Sequence, residues 1–256
     1  MCNADFQPPF LSITKIEKVC SSDFQPTHFS ILIDRLPLIY IKFLEFSTDR
    51  KLTSLRDHVR NFGKKIDVAL YRGPGAELVH DVEKILKNHI NYRFITASKI
   101  RKGALKNYEI LIMAGGYTAR YIPTLKAEGC NAIKKFLWNE EGKYLGICAG
   151  AYIAGSEELK ICKSRMLRKA GIFTCKITIA DKNHPIFADL DSPELEVYYQ
   201  NGPHIHPHKD EKPLALYSDG TASLIETTHA LIFSWHPEKL PSTSPILLRS
   251  IDYLLK

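Results

Sequence analysis

A cysteine lies within a Gly-x-Cys-x-Gly sequence, Gly146-Ile147-Cys148-Ala149-Gly150. The apolar run 144–147 precedes it and a run able to form a helix follows it, so the spacing predicts a sharp strand-to-helix turn with the sulfur at its apex. Small neighbours are needed because such a turn is crowded and strained. The helix that begins there favours a thiolate, although an ordinary buried thiol is the commoner fate of a cysteine.

A histidine and a glutamate follow a second apolar run, 230–233, within Ser-Trp-His-Pro-Glu. At the edge of a sheet, His236 can accept the thiol proton, and Glu238 can orient the imidazole and favour its charged form. Pro237 stiffens the segment that joins them. With Cys148, the pattern predicts a catalytic triad in the order Cys, His, Glu. Without that cysteine, His236 would be interpreted as a surface histidine near a turn.

Paired glycines, Gly115 and Gly116, end a third apolar run, Tyr108–Met113. Glycines at such a position allow backbone N–H groups to turn toward a ligand. One of these amides, together with the amide of Ala149, can bind the oxyanion that develops on a carbonyl under attack. A Gly-Gly pair taken alone indicates only an ordinary turn.

These three groups of residues, in this order, resemble the class I glutamine amidotransferase-like superfamily. Longer runs around them resemble more narrowly the amidotransferase-like region at the amino terminus of eukaryotic biotin protein ligases. The runs that carry this narrower resemblance are Tyr71–Ala76, Lys143–Tyr152 and Tyr198–Pro203. The resemblance extends over about Lys65–Lys256.

The resemblance implies a flavodoxin-like sheet and an active site at one of its edges. The implied triad is Cys148, His236 and Glu238, and the implied oxyanion donors are Gly116 and Ala149. One position departs from the superfamily pattern: Tyr152 stands where glutamine amidotransferases usually have a glutamine that helps to hold the substrate. Glutamine is therefore not the expected substrate. Ligase chemistry is not expected either, because the sequence has no Gly-Arg-Gly-Arg biotinyl-adenylate loop.

The rest of the sequence is consistent with such a sheet. From Lys65 onward, short apolar runs alternate with helical stretches, which is typical of strand-helix-strand units. We predict an α/β fold for residues 65–256, a flavodoxin-like, doubly wound, mostly parallel sheet with helices on both faces. Residues 1–64 are predicted to be an amino-terminal extension of unknown role. The predicted strands are Ile66–Tyr71, Tyr92–Ile95, Tyr108–Met113, Tyr144–Ile147, Cys175–Ala180, Leu195–Tyr199, Leu214–Tyr217, Ala222–Glu226 and Ala230–Trp235; predicted helices include Cys130–Asn139 and Ser244–Leu255.

Three histidines, His204, His206 and His208, occupy alternate positions and would share one face of an extended strand, where they can bind a metal. Prolines at positions 203 and 207 argue against a regular strand, so we predict a loop beside the site and no metal centre. Tyr199 and Asn201, just before this segment, are predicted to contact the substrate. No cofactor is predicted, because the glycines near residue 74 lack the spacing of a nucleotide-binding loop.

Composition excludes several classes of protein. The 256 residues are 45% apolar and 25% charged, as in globular proteins. The net charge of +7 is spread along the chain, so nucleic-acid binding is not predicted. No run approaches the roughly 18 apolar residues of a membrane span, and the first residues do not resemble a secretory signal, so we predict a cytoplasmic protein. Six cysteines are too sparse for a disulfide framework.

The combined pattern predicts a cysteine-dependent, amidotransferase-like hydrolase that acts on a small carboxamide or related acyl group. The alternative is a non-catalytic regulatory or interaction module that keeps a small-ligand cleft. Tyr152 and the amino-terminal extension favour this alternative, and a protein partner is compatible with either interpretation.

Overall fold

The computed structural model describes residues 66–256, and the predicted extension, residues 1–64, lies outside the described residues. Eleven strands in the described part form one sheet. The strands are β1 (Ile66–Tyr71), β2 (Tyr92–Ile95), β3 (Tyr108–Met113), β4 (Lys143–Ile147), β5 (Arg165–Arg168), β6 (Ile172–Ile179), β7 (Glu194–Gln200), β8 (Pro203–His206), β9 (Lys212–Leu216), β10 (Ala222–Glu226) and β11 (Ala230–Phe233). The helices are α1 (Val79–Leu86), α2 (Ala97–Arg101), α3 (Thr118–Asn139), α4 (Ala149–Ala154) and α5 (Ser244–Leu254).

A parallel core in the order β2-β1-β3-β4-β11 forms one half of the sheet. Its strands are continuous apolar runs, since parallel strands are covered on both faces. Residues 230–233 of β11 and 110–113 of β3, for example, are all buried. The predicted α/β fold class, with a mostly parallel central sheet, is confirmed.

Helices cover both faces of this core. Crossovers between parallel strands are right-handed, so β1-α1-β2 and β3-α3-β4, which run in opposite directions along the sheet, place their helices on opposite faces. The packing agrees, because α1 contacts α5 whereas α3 contacts α2 and α4. None of these helices in residues 66–256 is long and apolar enough to cross a lipid bilayer.

The other half of the sheet is antiparallel, and here one prediction was wrong. Residues 203–206, predicted as a loop, form β8, which pairs with β5 and β10. The two prolines do not prevent this, because Pro203 is the first residue of the strand and Pro207 follows its last. His204 is buried, with its Nδ1 2.9 Å from Asp219 Oδ2. Among residues 66–256, no group of three or more potential metal ligands comes together.

The helix predicted to start at Cys130 begins earlier, at Thr118. It contains Pro123, and its backbone is broken at Lys126, where φ is 59° and ψ is 177°. A proline inside a helical pattern usually ends the helix, which is why the sequence pattern indicated only the second segment. The first segment matters for function because it starts directly beside the candidate site.

The strand-to-helix turn after β4 packs tightly against β3. A Cβ atom at Gly150 would lie 2.0 Å from the carbonyl oxygen of Met113, which is backbone and cannot move aside easily. We expect Gly150→Ala to lower the free energy of unfolding by about 3 kcal/mol, the upper range for overpacking. Urea unfolding followed by circular dichroism measures this change. Gly220→Ala is the control, because a Cβ there meets nothing within 4 Å and the variant should lose only the roughly 1–2 kcal/mol of strain that its φ of 81° imposes on alanine; an equal loss in both variants would contradict the packing argument.

Candidate active site

Three neighbouring parallel strands bring the predicted site residues to one edge of the sheet. In the register, Met113 of β3 pairs with Gly146 of β4, and Ile147 of β4 pairs with Phe233 of β11. The segments that follow these strands therefore leave the sheet side by side. They carry Gly115 and Gly116, Cys148, and His236 with Glu238. Ligands of open α/β sheets bind at this edge, outside the carboxyl ends of the strands.

Cys148 lies at the strained turn that the small residues around it in the sequence predicted. Its φ of 51° and ψ of −99° lie in a region that side chains rarely adopt, and it directly precedes α4. Its amide donates a hydrogen bond to the Phe233 carbonyl at 2.9 Å, and its carbonyl accepts one from the Tyr152 amide at 3.0 Å. The turn is thus held from both sides. The residue is only 5% exposed, so the sulfur is reached through the cavity described below.

His236 and Glu238 form a buried pair. The imidazole Nδ1 lies 2.7 Å from the Glu238 carboxylate Oε1, and both side chains are fully buried. The backbone amide of His236 donates to the Tyr198 carbonyl at 2.9 Å. The Thr243 hydroxyl donates to the Pro237 carbonyl at 2.8 Å, which fixes the turn between the two side chains. The imidazole therefore has one orientation.

The electrostatics of this pair favour the imidazolium. Burial alone lowers the pKa of His236, but the Glu238 carboxylate and the Cys148 side chain outweigh it, so the pKa lies well above the ordinary value of 6.5. No described residue makes a standard hydrogen bond with Nε2. Nε2 is thus free of a described partner, whereas Nδ1 is hydrogen-bonded to the Glu238 carboxylate. Such an arrangement can hold a proton and pass it to a reacting group.

The Cys148 thiol itself has a defined contact. It donates a hydrogen bond to the backbone carbonyl of Gln200, with a distance of 3.3 Å from Sγ to the oxygen. Gln200 is the last residue of β7, so the antiparallel half of the sheet supplies this wall of the site. Sequence reasoning could not find this contact, because it is made by a backbone oxygen and carries no side-chain signal.

The loop after β3 lies against both the imidazole and the loop after β1. A Cβ at Gly115 would lie 2.5 Å from His236 Cε1, so only glycine fits there. Gly116 has a φ of 149°, and a Cβ there would lie 2.2 Å from the carbonyl oxygen of Gly75. Within the described chain, the amides of Gly116 and Ala149 donate no hydrogen bond. Gly116 lines the cavity described below, whereas Ala149 is buried and does not.

Gly115→Ala should act on the imidazole rather than on the fold as a whole. The added methyl group must displace His236, and a displacement of about 1 Å in a catalytic group can lower a rate by about 10²-fold. We expect a loss of that size in kcat for the amide hydrolysis that the sequence predicts, measured by ammonia release. Gly103→Ala is the control for an added methyl group that touches nothing, since a Cβ at Gly103 meets no atom within 4 Å; its positive φ adds backbone strain that Gly115 does not have, so any loss there is an upper limit for the backbone effect. Unchanged activity of the Gly115 variant would contradict the contact.

A cavity of about 670 Å³ opens above these residues. Among the predicted site residues, it is lined by Gly116, Cys148, Tyr152, Asn201 and His236. Charged residues that sequence reasoning did not single out also line it: Glu77, Arg120, Arg168 and Lys169. These residues belong to no recognisable sequence motif. Arg168, for example, ends a short, mostly exposed strand that has no apolar run.

Tyr199, predicted to contact substrate, does not line the cavity. It is fully buried, and its hydroxyl oxygen lies 2.7 Å from the carbonyl oxygens of Lys169 and Gly202. The residue thus supports the wall. Asn201 lies in the lining, and its side-chain oxygen accepts a hydrogen bond from the Gly171 amide at 2.8 Å. Its side chain therefore fixes the loop that follows Arg168.

Comparison with known proteins finds a related family over part of the chain. Residues 66–166 match the family described as biotin-protein ligase, N terminal. The predicted resemblance is confirmed across that span. No curated protein matches the chain.

Solved structures cover nearly the whole described region. A protein from Thermoplasma acidophilum, described provisionally as part of a GMP synthase, has a TM-score of 0.58 at 15% identity, covering 74% of this chain and 94% of that chain. A glutamine amidotransferase has a TM-score of 0.57 at 17% identity, covering 73% and 97%. This chain has the class I glutamine amidotransferase-like fold. PurLQS from Thermotoga maritima agrees, with a TM-score of 0.55 at 16% identity, covering 74% and 98%.

Proposed function

We propose that this amidotransferase-like domain hydrolyses a small carboxamide, or a related acyl compound, through Cys148, His236 and Glu238. The observation that carries the proposal is the buried imidazole of His236, which is hydrogen-bonded to Glu238 at 2.7 Å and lines the same cavity as Cys148. A cysteine, a base and a carboxylate that orients the base are the components of nucleophilic acyl transfer.

The first half of the reaction forms a thioester. The thiol proton passes to His236 Nε2, and the sulfur attacks the carbonyl carbon of the amide. The carbonyl electrons move to its oxygen, which the amides of Gly116 and Ala149 stabilise. His236 then gives the proton to the leaving nitrogen, the C–N bond breaks, and ammonia or an amine departs. Glu238 stays ionised and stabilises the imidazolium throughout.

The second half releases the acid. Water attacks the thioester carbon while His236 takes one of its protons, and the oxyanion again lies on the two backbone amides. The C–S bond breaks, the thiolate recovers the proton from His236, and the product is a carboxylic acid. The net reaction consumes one water and needs no redox partner.

The experiment is a screen of primary amides, glutamine among them, for ammonia release by the full chain. We expect at least one amide to be hydrolysed by the native protein and none by Cys148→Ser. Glutamine should not be the best substrate, because Tyr152 lines the cavity where the superfamily usually has glutamine. Ammonia release that persists in the Cys148 variant would contradict the proposal.

A non-catalytic regulatory or interaction module is the second candidate. One observation favours it: the Cys148 thiol already donates a hydrogen bond to the backbone carbonyl of Gln200. Such a module would bind a small ligand in the same cavity and release no ammonia. Either function is compatible with a protein partner and with the predicted cytoplasmic location.

A further inference from the structure

The start of α1 contacts two of the loops that form the candidate site. The amide of Leu78, just before this helix, donates a hydrogen bond to the Gly115 carbonyl at 3.1 Å. Asp81, in the first turn of the helix, pairs with Lys239, the residue that directly follows Glu238. The distance from Lys239 Nζ to Asp81 Oδ2 is 2.7 Å. The helix therefore joins the loop after β3 to the turn after β11.

The ion pair between Asp81 and Lys239 is more buried than an ordinary surface pair, whose side chains are free to move in water. Its lysine and aspartate side chains are 25% and 26% exposed. The lysines of two other close pairs, Lys84 with the same aspartate and Lys212 with Asp181, are 75% and 53% exposed. Hydrogen bonds from Lys239 and, to a smaller extent, from Lys84 lower the pKa of the Asp81 carboxyl. Lys239 is therefore its principal partner.

The backbone connects Lys239 to the imidazole. The Lys239 amide donates a hydrogen bond to the His236 carbonyl at 3.2 Å and closes the turn between them. A Cβ at Gly115 would lie 2.5 Å from His236 Cε1 and 3.2 Å from Leu78 Cδ1, so the imidazole and the start of α1 enclose this glycine from two sides. A shift of the turn relative to α1 would therefore move the imidazole against the loop after β3.

Two other hydrogen bonds hold this turn, but neither reaches α1. The Thr243 hydroxyl bonds to the Pro237 carbonyl within the segment that leads into α5, and the His236 amide bonds to Tyr198 of β7. Neither Asp81 nor its lysine lines the cavity. An effect of their ion pair on the reaction must therefore act through position and not through contact with the substrate.

We propose that Asp81 is a positioning residue, whose ion pair with Lys239 fixes the imidazole of His236 against the loop that carries Gly115 and Gly116. The consequence for catalysis rests on the proposed function, whereas the positioning itself does not. A displacement of about 1 Å in a catalytic group can lower a rate by about 10²-fold, and the two other hydrogen bonds limit the displacement here. We therefore expect Asp81→Asn to lower kcat about tenfold and to leave KM unchanged.

The test follows the imidazole directly. The nuclear magnetic resonance signal of the His236 Cε1–H group is recorded in the full chain with isotope-labelled histidine, and it is identified by its absence from His236→Gln. We expect this signal to move by more than its line width, or to split, in Asp81→Asn and in Lys239→Gln. Exchange of the two charges, Asp81→Lys with Lys239→Asp, should restore the signal. The exchange is made together with Lys84→Gln, because Lys84 would repel a lysine at position 81.

Lys84→Gln alone is the matched control. It removes the same charge as Lys239→Gln from the same carboxylate but leaves the Asp81–Lys239 pair intact, so its His236 signal and its kcat should equal those of the native chain. Urea midpoints show that each variant is folded. An unchanged signal in Asp81→Asn or Lys239→Gln, an equal change in Lys84→Gln, or no recovery on charge exchange would each overturn the inference.

Failure of the proposed function gives a different result. If the His236 signal responds as expected but the native chain releases no ammonia from any amide, the proposed function fails and the positioning role stands. If the native chain hydrolyses an amide and Asp81→Asn has the same kcat, the proposed function stands and the inference fails.

Discussion

Cys148→Ser reduces amide hydrolysis by about 10⁴-fold or more, because a serine hydroxyl is a far weaker nucleophile at this site and nothing else in the cavity replaces the sulfur. The fold should be retained, since serine is close to cysteine in size and the turn depends on backbone bonds to Phe233 and Tyr152. Ammonia release under saturating substrate measures the effect. Far-ultraviolet circular dichroism and the urea midpoint show that the variant remains folded.

Cys175→Ser is the control for this prediction. Cys175 lies on β6, is half-buried and does not line the cavity. Its replacement should leave kcat unchanged. A similar loss of activity in both variants would show that Cys148→Ser acts by disturbing the structure, and a fully active Cys148 variant would remove the nucleophile from the mechanism.

Glu238→Gln reduces kcat by about 10³-fold, because an amide keeps the hydrogen-bonding geometry and removes the charge that stabilises the imidazolium. Burial by itself lowers the pKa of His236, and the carboxylate is the principal opposing influence. Without it, the pKa of His236 falls toward or below its ordinary value of 6.5. The neutral imidazole is then too weak a base to hold the thiol proton at neutral pH.

The raised pKa of His236 determines how the activity depends on pH. In the native protein, the imidazolium persists to a pH well above 6.5, so reactivity that depends on it survives into the alkaline range. In Glu238→Gln, the loss of kcat relative to the native protein should be largest at neutral pH and below. It should shrink as rising pH ionises thiols without help from a base. Rates measured at intervals from about pH 6 to about pH 9, around the ordinary thiol pKa, test the trend.

Glu226→Gln is the matched control, because Glu226 also pairs with a buried histidine, His184, at 3.5 Å and lies outside the cavity. Its loss tests what breaking a buried His–Glu pair does to the protein in general. We expect normal kcat and a normal pH profile. A Glu238 deficit that is independent of pH would contradict the electrostatic role assigned to the carboxylate.

The sequence predicted the structure well where a short stretch of neighbouring residues determines it. The strands of the parallel core are apolar runs, and their bounds were predicted closely because both faces are covered by helices. The turn at Cys148 was predicted from small neighbours and proves to have a positive φ. The partners proposed for that cysteine were predicted from order and residue type, since strand ends of a parallel core meet at one edge.

The antiparallel half was less predictable, for physical reasons. Strand β5 is mostly exposed and has no alternation of apolar and polar residues. The sequence pattern therefore predicted neither this strand nor the position of Arg168. Strand β8 begins with Pro203, which argued against a strand until its position at the strand start was known. The Gln200 carbonyl that holds the thiol is backbone, and the ion pair of Lys169 with Asp219 joins residues fifty positions apart. Such contacts exist only once the sheet has formed.

The most direct measurement is the alkylation rate of each cysteine in one chain, at about pH 6.5, where an ordinary thiol of pKa about 8.5 is mostly protonated. Iodoacetamide labelling is quantified by peptide mass spectrometry for Cys148 and Cys175 in the native protein and in His236→Gln. Exposure alone predicts that Cys175, the less buried residue, reacts faster. If the imidazole activates the thiol, Cys148 reacts faster than Cys175 in the native protein. In His236→Gln, Cys148 should no longer react faster. A native Cys148 that reacts no faster than Cys175, or whose rate is indifferent to His236, would contradict the account.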